Sequence, residues 1–189
     1  MKGIGIVTVT AVLGLVVLTA LAQSAGERMT FPATYHQADD FVQYATVDRP
    51  DGITRDLFVN SQALEAIRGG EPLPSGTVLT IKGHFADEKD PQGRLIPEER
   101  DDITHIAEKN DAWTDAAFPT EIRTGDWNFG SFSLSRRTAT DENLRPCFEC
   151  HRDAPGDEFM FSGEALRVFA DTGEVQYSFC DQPGRTPCD

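Results

Sequence analysis

The five residues from Cys147 to His151 read Cys-Phe-Glu-Cys-His, and no other stretch limits the chain so tightly. C-x-x-C-H is the attachment motif of a c-type haem, in which each cysteine forms a thioether with one vinyl group and the histidine ligates the iron. That chemistry needs all three side chains on one side of the backbone. A short helix supplies this, because i, i+3 and i+4 share a face. Pro146 suits the first helical position, where a missing N–H costs nothing. Whatever fold forms must present this face to a porphyrin edge and its iron together.

Two rival chemistries fit less well. A zinc site needs two further ligands at fixed spacing, and Cys180 and Cys188 lie too far downstream for a common zinc pattern. A dithiol redox pair wants a βαβ context, which the sequence before Cys147 does not offer.

The N-terminus supports the haem reading. After Met1 and Lys2 an uncharged run extends from Gly3 to Ala22 and ends Ala20-Leu21-Ala22, a small-x-small cleavage signal. Residues 1–22 are expected to be an export signal, or an uncleaved membrane anchor, and residues 23–189 a single folded domain. A periplasmic location follows, and covalent haem c is attached in such oxidising compartments. The remaining cysteines, Cys180 and Cys188, then read as a disulfide across a short loop, worth ~2–3 kcal/mol in the chain-entropy model. With 17 basic against 31 acidic residues the chain carries a net charge of −14, so nucleic acid is not an expected partner. A basic redox partner protein would be steered toward such a surface.

Along the chain, Phe41 to Val47 and Thr54 to Val59 read as strands around a Pro50-Asp51-Gly52 turn. Asn60 or Ser61 can cap a helix carrying Ala63, Leu64 and Ile67, closed by Gly69. Thr77 to Phe85 is the clearest strand, with Leu79 and Ile81 on one face and Lys82 and His84 on the other. Residues 86–102 read as a solvated excursion with a small hairpin. Strands are expected at Ile103 to Glu108 and Trp127 to Leu134, and a polar linker at 136–145. Ser162 can cap a helix over Glu164 to Ala170, or a hairpin can turn at Asp171-Thr172-Gly173. The class is α+β, mainly antiparallel sheet with a few short helices and the haem motif near the C-terminus.

That late motif discriminates among haem proteins. Small electron carriers place it near the start, with a distant methionine as second ligand, whereas Met160 follows His151 by only nine residues. Four-helix cytochromes would show four long amphipathic periods, but here 11 prolines and 16 glycines separate short β-type segments.

With these residues assembled, the sequence resembles the cytochrome P-460 family, which includes the cytochrome c′-beta proteins. The likeness rests on Phe41–Val47 with Asp48-Arg49-Pro50, Pro74-Ser75-Gly76-Thr77-Val78, Gly125-Asp126-Trp127-Asn128-Phe129, the Cys147–His151 motif and Phe159-Met160-Phe161-Ser162. The resemblance implies a mainly antiparallel homodimer holding haem through Cys147 and Cys150, with His151 as proximal ligand and a ligand-accessible far side. Some members oxidise hydroxylamine and carry a lysine bonded to the porphyrin edge. The c′-beta members lack that bond and bind small gases such as nitric oxide beneath a phenylalanine cap.

The lysine is where this chain departs. In such proteins it falls five residues after the turn glycine; here that position is Ile81, and Lys82 comes one later. A one-residue shift turns a strand side chain to the opposite face unless a bulge intervenes. Lys82, Phe129 and Phe132 are candidates for the distal pocket, with Trp127 beside them. His84 and His105 are candidates for a sixth ligand, and Glu108 for proton transfer. The expected activity is binding of a small gaseous or nitrogen-oxide ligand at an open iron site, with redox turnover. The alternatives are a lysine-linked hydroxylamine oxidase and a six-coordinate electron-transfer cytochrome.

Overall fold

A computed structural model describes residues 29–32, 35, 40–113, 123–154 and 158–184. Residues 1–22, where an export signal or anchor is expected, and Cys188 lie outside the described residues. Among the described residues no helix is long and apolar enough to cross a membrane.

The first two strands, β1 (Phe41–Asp48) and β2 (Ile53–Asn60), form an antiparallel hairpin. Gly52 closes its turn at φ 75°, with its N–H donating to the Arg49 carbonyl at 3.3 Å. Helix α1 (Ser61–Arg68) follows at once and ends at Gly69. Asn60 stands at its N-cap but its side chain makes no cap bond. Instead Oδ1 accepts from the Val78 N–H at 2.9 Å and Nδ2 donates to the Gly76 carbonyl at 3.0 Å. The residue expected to start a helix thus fixes where β3 (Val78–Phe85) begins.

Three antiparallel strands extend the sheet: β4 (Arg100–Lys109), β5 (Trp127–Ser133) and β6 (Thr138–Ala139). The last of these lies in what the composition presents as a polar linker. Helix α2 (Arg145–Arg152) carries the cysteine motif, and α3 (Gly163–Thr172) ends at Gly173 in the left-handed region, so the hairpin alternative at 171–173 does not form. Ser162 makes no cap bond; its Oγ lies 2.8 Å from the Tyr44 hydroxyl. A seventh strand that no local pattern announces, β7 (Gln176–Phe179), pairs parallel to β1. The sheet order is β6-β5-β4-β3-β2-β1-β7.

The period of two sorts this sheet into two faces. Residues paired in register share a face, so Leu79, Ala107 and Phe129 lie in one row, and Ile81, His105 and Ser131 in the next. All three helices pack on this face, α1 on β2, α3 on β1 and α2 on β5. Val59, Leu64, Leu79, Phe129, Leu166 and Phe169 form its core. On the opposite face Met29, Val78, Ile106 and Phe132 make a smaller cluster, joined by Phe31, Tyr35 and Phe41.

The C-terminal strand is held by a buried carboxylate. Asp48 accepts from the Tyr177 hydroxyl at 2.7 Å and from the Leu95 N–H at 2.6 Å, both at Oδ2. Its carbonyl takes the Cys180 N–H at 2.8 Å. Arg94, from the 86–99 excursion, lies 4.4 Å from the Tyr177 ring centroid. Cys180 is disulfide-bonded, whereas Cys147 and Cys150 are free.

Candidate haem site

Helix α2 is one compact unit of chemistry. Pro146 occupies its first turn, and Arg145 reaches Glu149 one turn on, with Nε 2.7 Å from Oε1. Phe148 is the helix's buried anchor, meeting Phe129 of β5 edge to face at 4.9 Å. That contact sets the rotation of α2, so that Cys147, Cys150 and His151 occupy the same side of consecutive turns. Cys147 packs at the margin of the main core, beside Leu144.

His151 is held from three directions. Its ring lies 4.5 Å from Phe129 at a 32° tilt, and Phe161 meets it edge-on at 5.5 Å. Its Nδ1 is 2.7 Å from the Phe159 carbonyl oxygen. A carbonyl only accepts, so Nδ1 carries the proton and the lone pair is at Nε2. Burial pushes the imidazole pKa below its usual range, partly offset by the Phe159 bond. The ring is therefore neutral near pH 7, in the tautomer that a metal-ligating histidine requires.

Phe159 adopts an unusual backbone to provide that carbonyl. It has φ 53°, in the left-handed region that non-glycine residues seldom occupy. Its ring covers Gly125, where a Cβ would come within 2.9 Å of it. Gly125 itself sits at φ 55°. The glycine thus answers two demands, one conformational and one steric.

The two thiols are neutral as well. Burial raises the Cys147 pKa above the ordinary thiol range, with Cys150 adding to the effect; burial and then Asp153 raise that of Cys150. Among the described residues no group of three or more His, Cys, Asp or Glu side chains is placed to hold a metal ion. Two thiols and a neutral imidazole on one helix face, beside an apolar floor of Leu79, Ile81 and Ala107, fit a covalently held haem.

The faces of the sheet separate the other candidates. Phe129 lies on the helix-bearing face and packs against the ring of His151 itself. Trp127 shares that face and is buried. Lys82 and Phe132 point the other way. Lys82 pairs with Asp56 and Thr104, and its Nζ is 4.1 Å from the Phe58 ring centroid and 5.7 Å from that of Tyr35. The register from Leu79 to Phe85 against β2 is unbroken, and the shift against β4 comes only after Lys82. No bulge therefore returns Lys82 to the haem-motif face. Phe132 belongs to the Met29 cluster, because three residues along a strand from Phe129 is a change of face.

His84 is also beneath the sheet, 3.3 Å from Asp56. Glu108, paired with Val78 and Asn128, shares that opposite face, and burial raises its pKa. Of the two candidate histidines, only His105 lies on the helix-bearing face, where its Nε2 is 3.3 Å from Glu142 Oε2. Met160 is buried in the core. A cavity of about 520 Å³ opens behind Phe161, with Ile67, Leu73, Met160 and Leu166 in its walls. None of Cys147, Cys150 and His151 lines it, so it adjoins the motif without containing it. The Phe159 carbonyl is the functional group that sequence reasoning missed, since a positive φ at a phenylalanine leaves no trace in residue type.

The family model described as Cytochrome P460 matches residues 32–162, more than two thirds of the chain. No curated protein matches it.

Proposed function

The chain belongs to the cytochrome P460 family, and from that premise we propose that this haem- and iron-binding protein carries haem c covalently and binds small nitrogen oxides at an open iron site. Cys147 and Cys150 would form the thioethers and His151 Nε2 would ligate the iron. The observation that carries this reading is the His151 Nδ1–Phe159 carbonyl bond, which leaves the ligating nitrogen unprotonated in a ring that cannot rotate freely. When bound, the haem supplies the iron at which a small ligand is held and electrons are exchanged. The protein's own residues orient the imidazole, keep water from its buried side and shape the floor on which the macrocycle rests.

A lysine-linked hydroxylamine oxidase is less well supported, because Ile81 stands on the floor and Lys82 beneath it. Export to the periplasm by residues 1–22, a redox partner and a homodimer complete the proposal; the first draws on the apolar N-terminal run and the last two on surface charge and the family.

Optical spectroscopy of the matured protein tests the reading. A high-spin ferrous spectrum that responds to nitric oxide or carbon monoxide is expected. A low-spin, gas-indifferent spectrum would point to six-coordinate electron transfer. A ferrous band displaced far to the red would restore the cross-linked alternative.

A further inference from the structure

The carbonyl that orients His151 belongs to a short segment with open space along one side. Glu158, Met160 and Phe161 all stand in the wall of the cavity of about 520 Å³. On that side little holds a backbone that carries Phe159 at φ 53°. A strained conformation persists only where its surroundings fix it, so the restraint has to come from the sheet.

The sheet supplies it at the end of the β4–β5 ladder, where Lys109 pairs with Trp127. Lys109 lies two residues beyond Ala107 and so on the helix-bearing face. Its Nζ donates to both carboxylate oxygens of Glu158, at 2.8 Å to Oε2 and 3.1 Å to Oε1. The next residue is Phe159, whose carbonyl accepts from His151 Nδ1 at 2.7 Å and whose ring covers Gly125. Ion pair, Phe159 backbone and hydrogen bond thus run unbroken from the last residue of β4 to the imidazole.

Shelter separates this pair from its neighbour at the cavity. The Lys109 and Glu158 side chains are 18 % and 29 % exposed, against 63 % and 78 % for Arg167 and Glu164 on α3. Exposed pairs hold their geometry weakly, whereas a two-pronged pair screened from water keeps its separation. Lys109 is also fixed at its root. Its N–H donates to the Thr77 carbonyl at 2.9 Å and its carbonyl accepts from the Gly76 N–H at 2.7 Å. At the far end of the segment the Ser162 hydroxyl lies 2.8 Å from that of Tyr44. The segment is therefore tied at both ends, with the strained residue between.

We infer that the Lys109–Glu158 pair is the latch that holds the Phe159 carbonyl on His151 Nδ1, and so sets how strongly the imidazole donates to the iron. This deepens the proposed function and rests on its assignment of His151 as ligand. Neither side chain touches iron or substrate; both are positioning residues. A full hydrogen bond from Nδ1–H makes the ring a stronger donor at Nε2, which favours the ferric state. Loosening the latch weakens that bond and makes reduction easier.

The test uses the full-length holoprotein. Redox potentiometry is combined with proton NMR of the reduced, low-spin protein, carbon monoxide being added where the iron is high-spin. Lys109→Met should raise the reduction potential, and the His151 Nδ1 proton should exchange with solvent roughly tenfold faster, the size of one weakened hydrogen bond. Glu158→Gln, which keeps a neutral acceptor, should shift both in the same direction but less. Lys109→Arg, which keeps the charge and can bond both oxygens, should restore most of the wild-type values. Glu164→Gln breaks the exposed pair at the same cavity and should change neither. Retained haem content and far-ultraviolet circular dichroism show that each variant has folded. If Lys109→Met folds and only its denaturation midpoint falls, with potential and exchange rate as in the wild type, the pair is merely structural; the inference is then overturned while ligation by His151 stands. If His151→Gly leaves the iron–histidine vibration in the resonance Raman spectrum, His151 is not the ligand, and that assignment and this inference fall together.

Discussion

His151 Nδ1 donates to the carbonyl of Phe159 at 2.7 Å, and Phe159 reaches that position only by adopting φ 53°. The motif histidine is thus oriented by a backbone conformation that phenylalanine does not favour, at a cost of order 1–3 kcal/mol. The surrounding packing, chiefly the ring of Phe159 over Gly125, holds it there.

Gly125→Ala should therefore act at a distance. The new Cβ meets the Phe159 ring at 2.9 Å and sits at φ 55°. A loss of about 1–3 kcal/mol is expected from strain and displacement together. Chemical denaturation measures the loss. Nitrogen NMR of the imidazole should show a mixed tautomer in place of a single Nδ1–H form; an unchanged tautomer would separate Gly125 from histidine positioning.

Covalent attachment is checked by extraction. With both Cys147 and Cys150 replaced by Ala, the pigment should pass into acid-acetone; in the wild type it should stay with the protein. Pigment that remained bound to the double variant would refute the thioether assignment.

Lys82→Met should leave the haem spectrum unaltered, because Lys82 lies beneath the sheet. Its loss from the Phe58 ring should cost only about 0.5–1 kcal/mol. A spectral change in this variant would place the lysine on the haem side after all.

Alkaline stability should depend on Tyr44. Burial pushes its pKa up to about 12, partly offset by the Ser162 bond. The unfolded chain releases this phenolic proton near pH 10, while the folded chain keeps it until about 12. Over that interval the unfolded state binds fewer protons, so stability falls as pH rises, at up to ~1.4 kcal/mol per unit for this group. Tyr177, also pushed up to about 12 by burial and by the Asp48 carboxylate, adds to the slope. Tyr44→Phe should reduce the slope above pH 10, measured by denaturant titration, and cost about 1 kcal/mol at neutral pH through the lost Ser162 bond.

Asp48→Ala should be severely destabilising. It strands the Tyr177 hydroxyl and the Leu95 N–H together, for a loss of roughly 2–4 kcal/mol. Limited proteolysis should then cut first near β7; an unaltered cleavage pattern would show that the tail is held by other bonds.

What could be read in advance follows from how local each signal is. Leu79, Ile81 and Lys82 announce their faces through simple alternation, and β3 obeys it. The same rule separates Phe129 from Phe132, which lie on opposite faces of β5 and in different clusters. Asn60 looked like a cap because capping is a local habit, but its partners, Gly76 and Val78, lie beyond the helix. The strand Gln176–Phe179 was illegible for a similar reason. Four residues with little alternation gain their strand conformation from β1 and Asp48, far back in the chain. The row of Ile81, His105 and Ser131 exists only once the register across three strands is known.

The parallel pairing of β7 with β1 also bears on how the chain assembles. Tyr177 and Asp48 are 129 residues apart, and the β7–β1 pairing they brace joins strands more distant in sequence than any other neighbours in the sheet. Contacts of such high sequence separation form slowly, because loop entropy must be lost before they yield any stabilisation. Until then the outer edge of β1 is an unpaired template, able to capture a strand from another molecule. The last four-residue strand therefore acts as a guard against aggregation, and a chain truncated before Gln176 should aggregate more readily than the full chain.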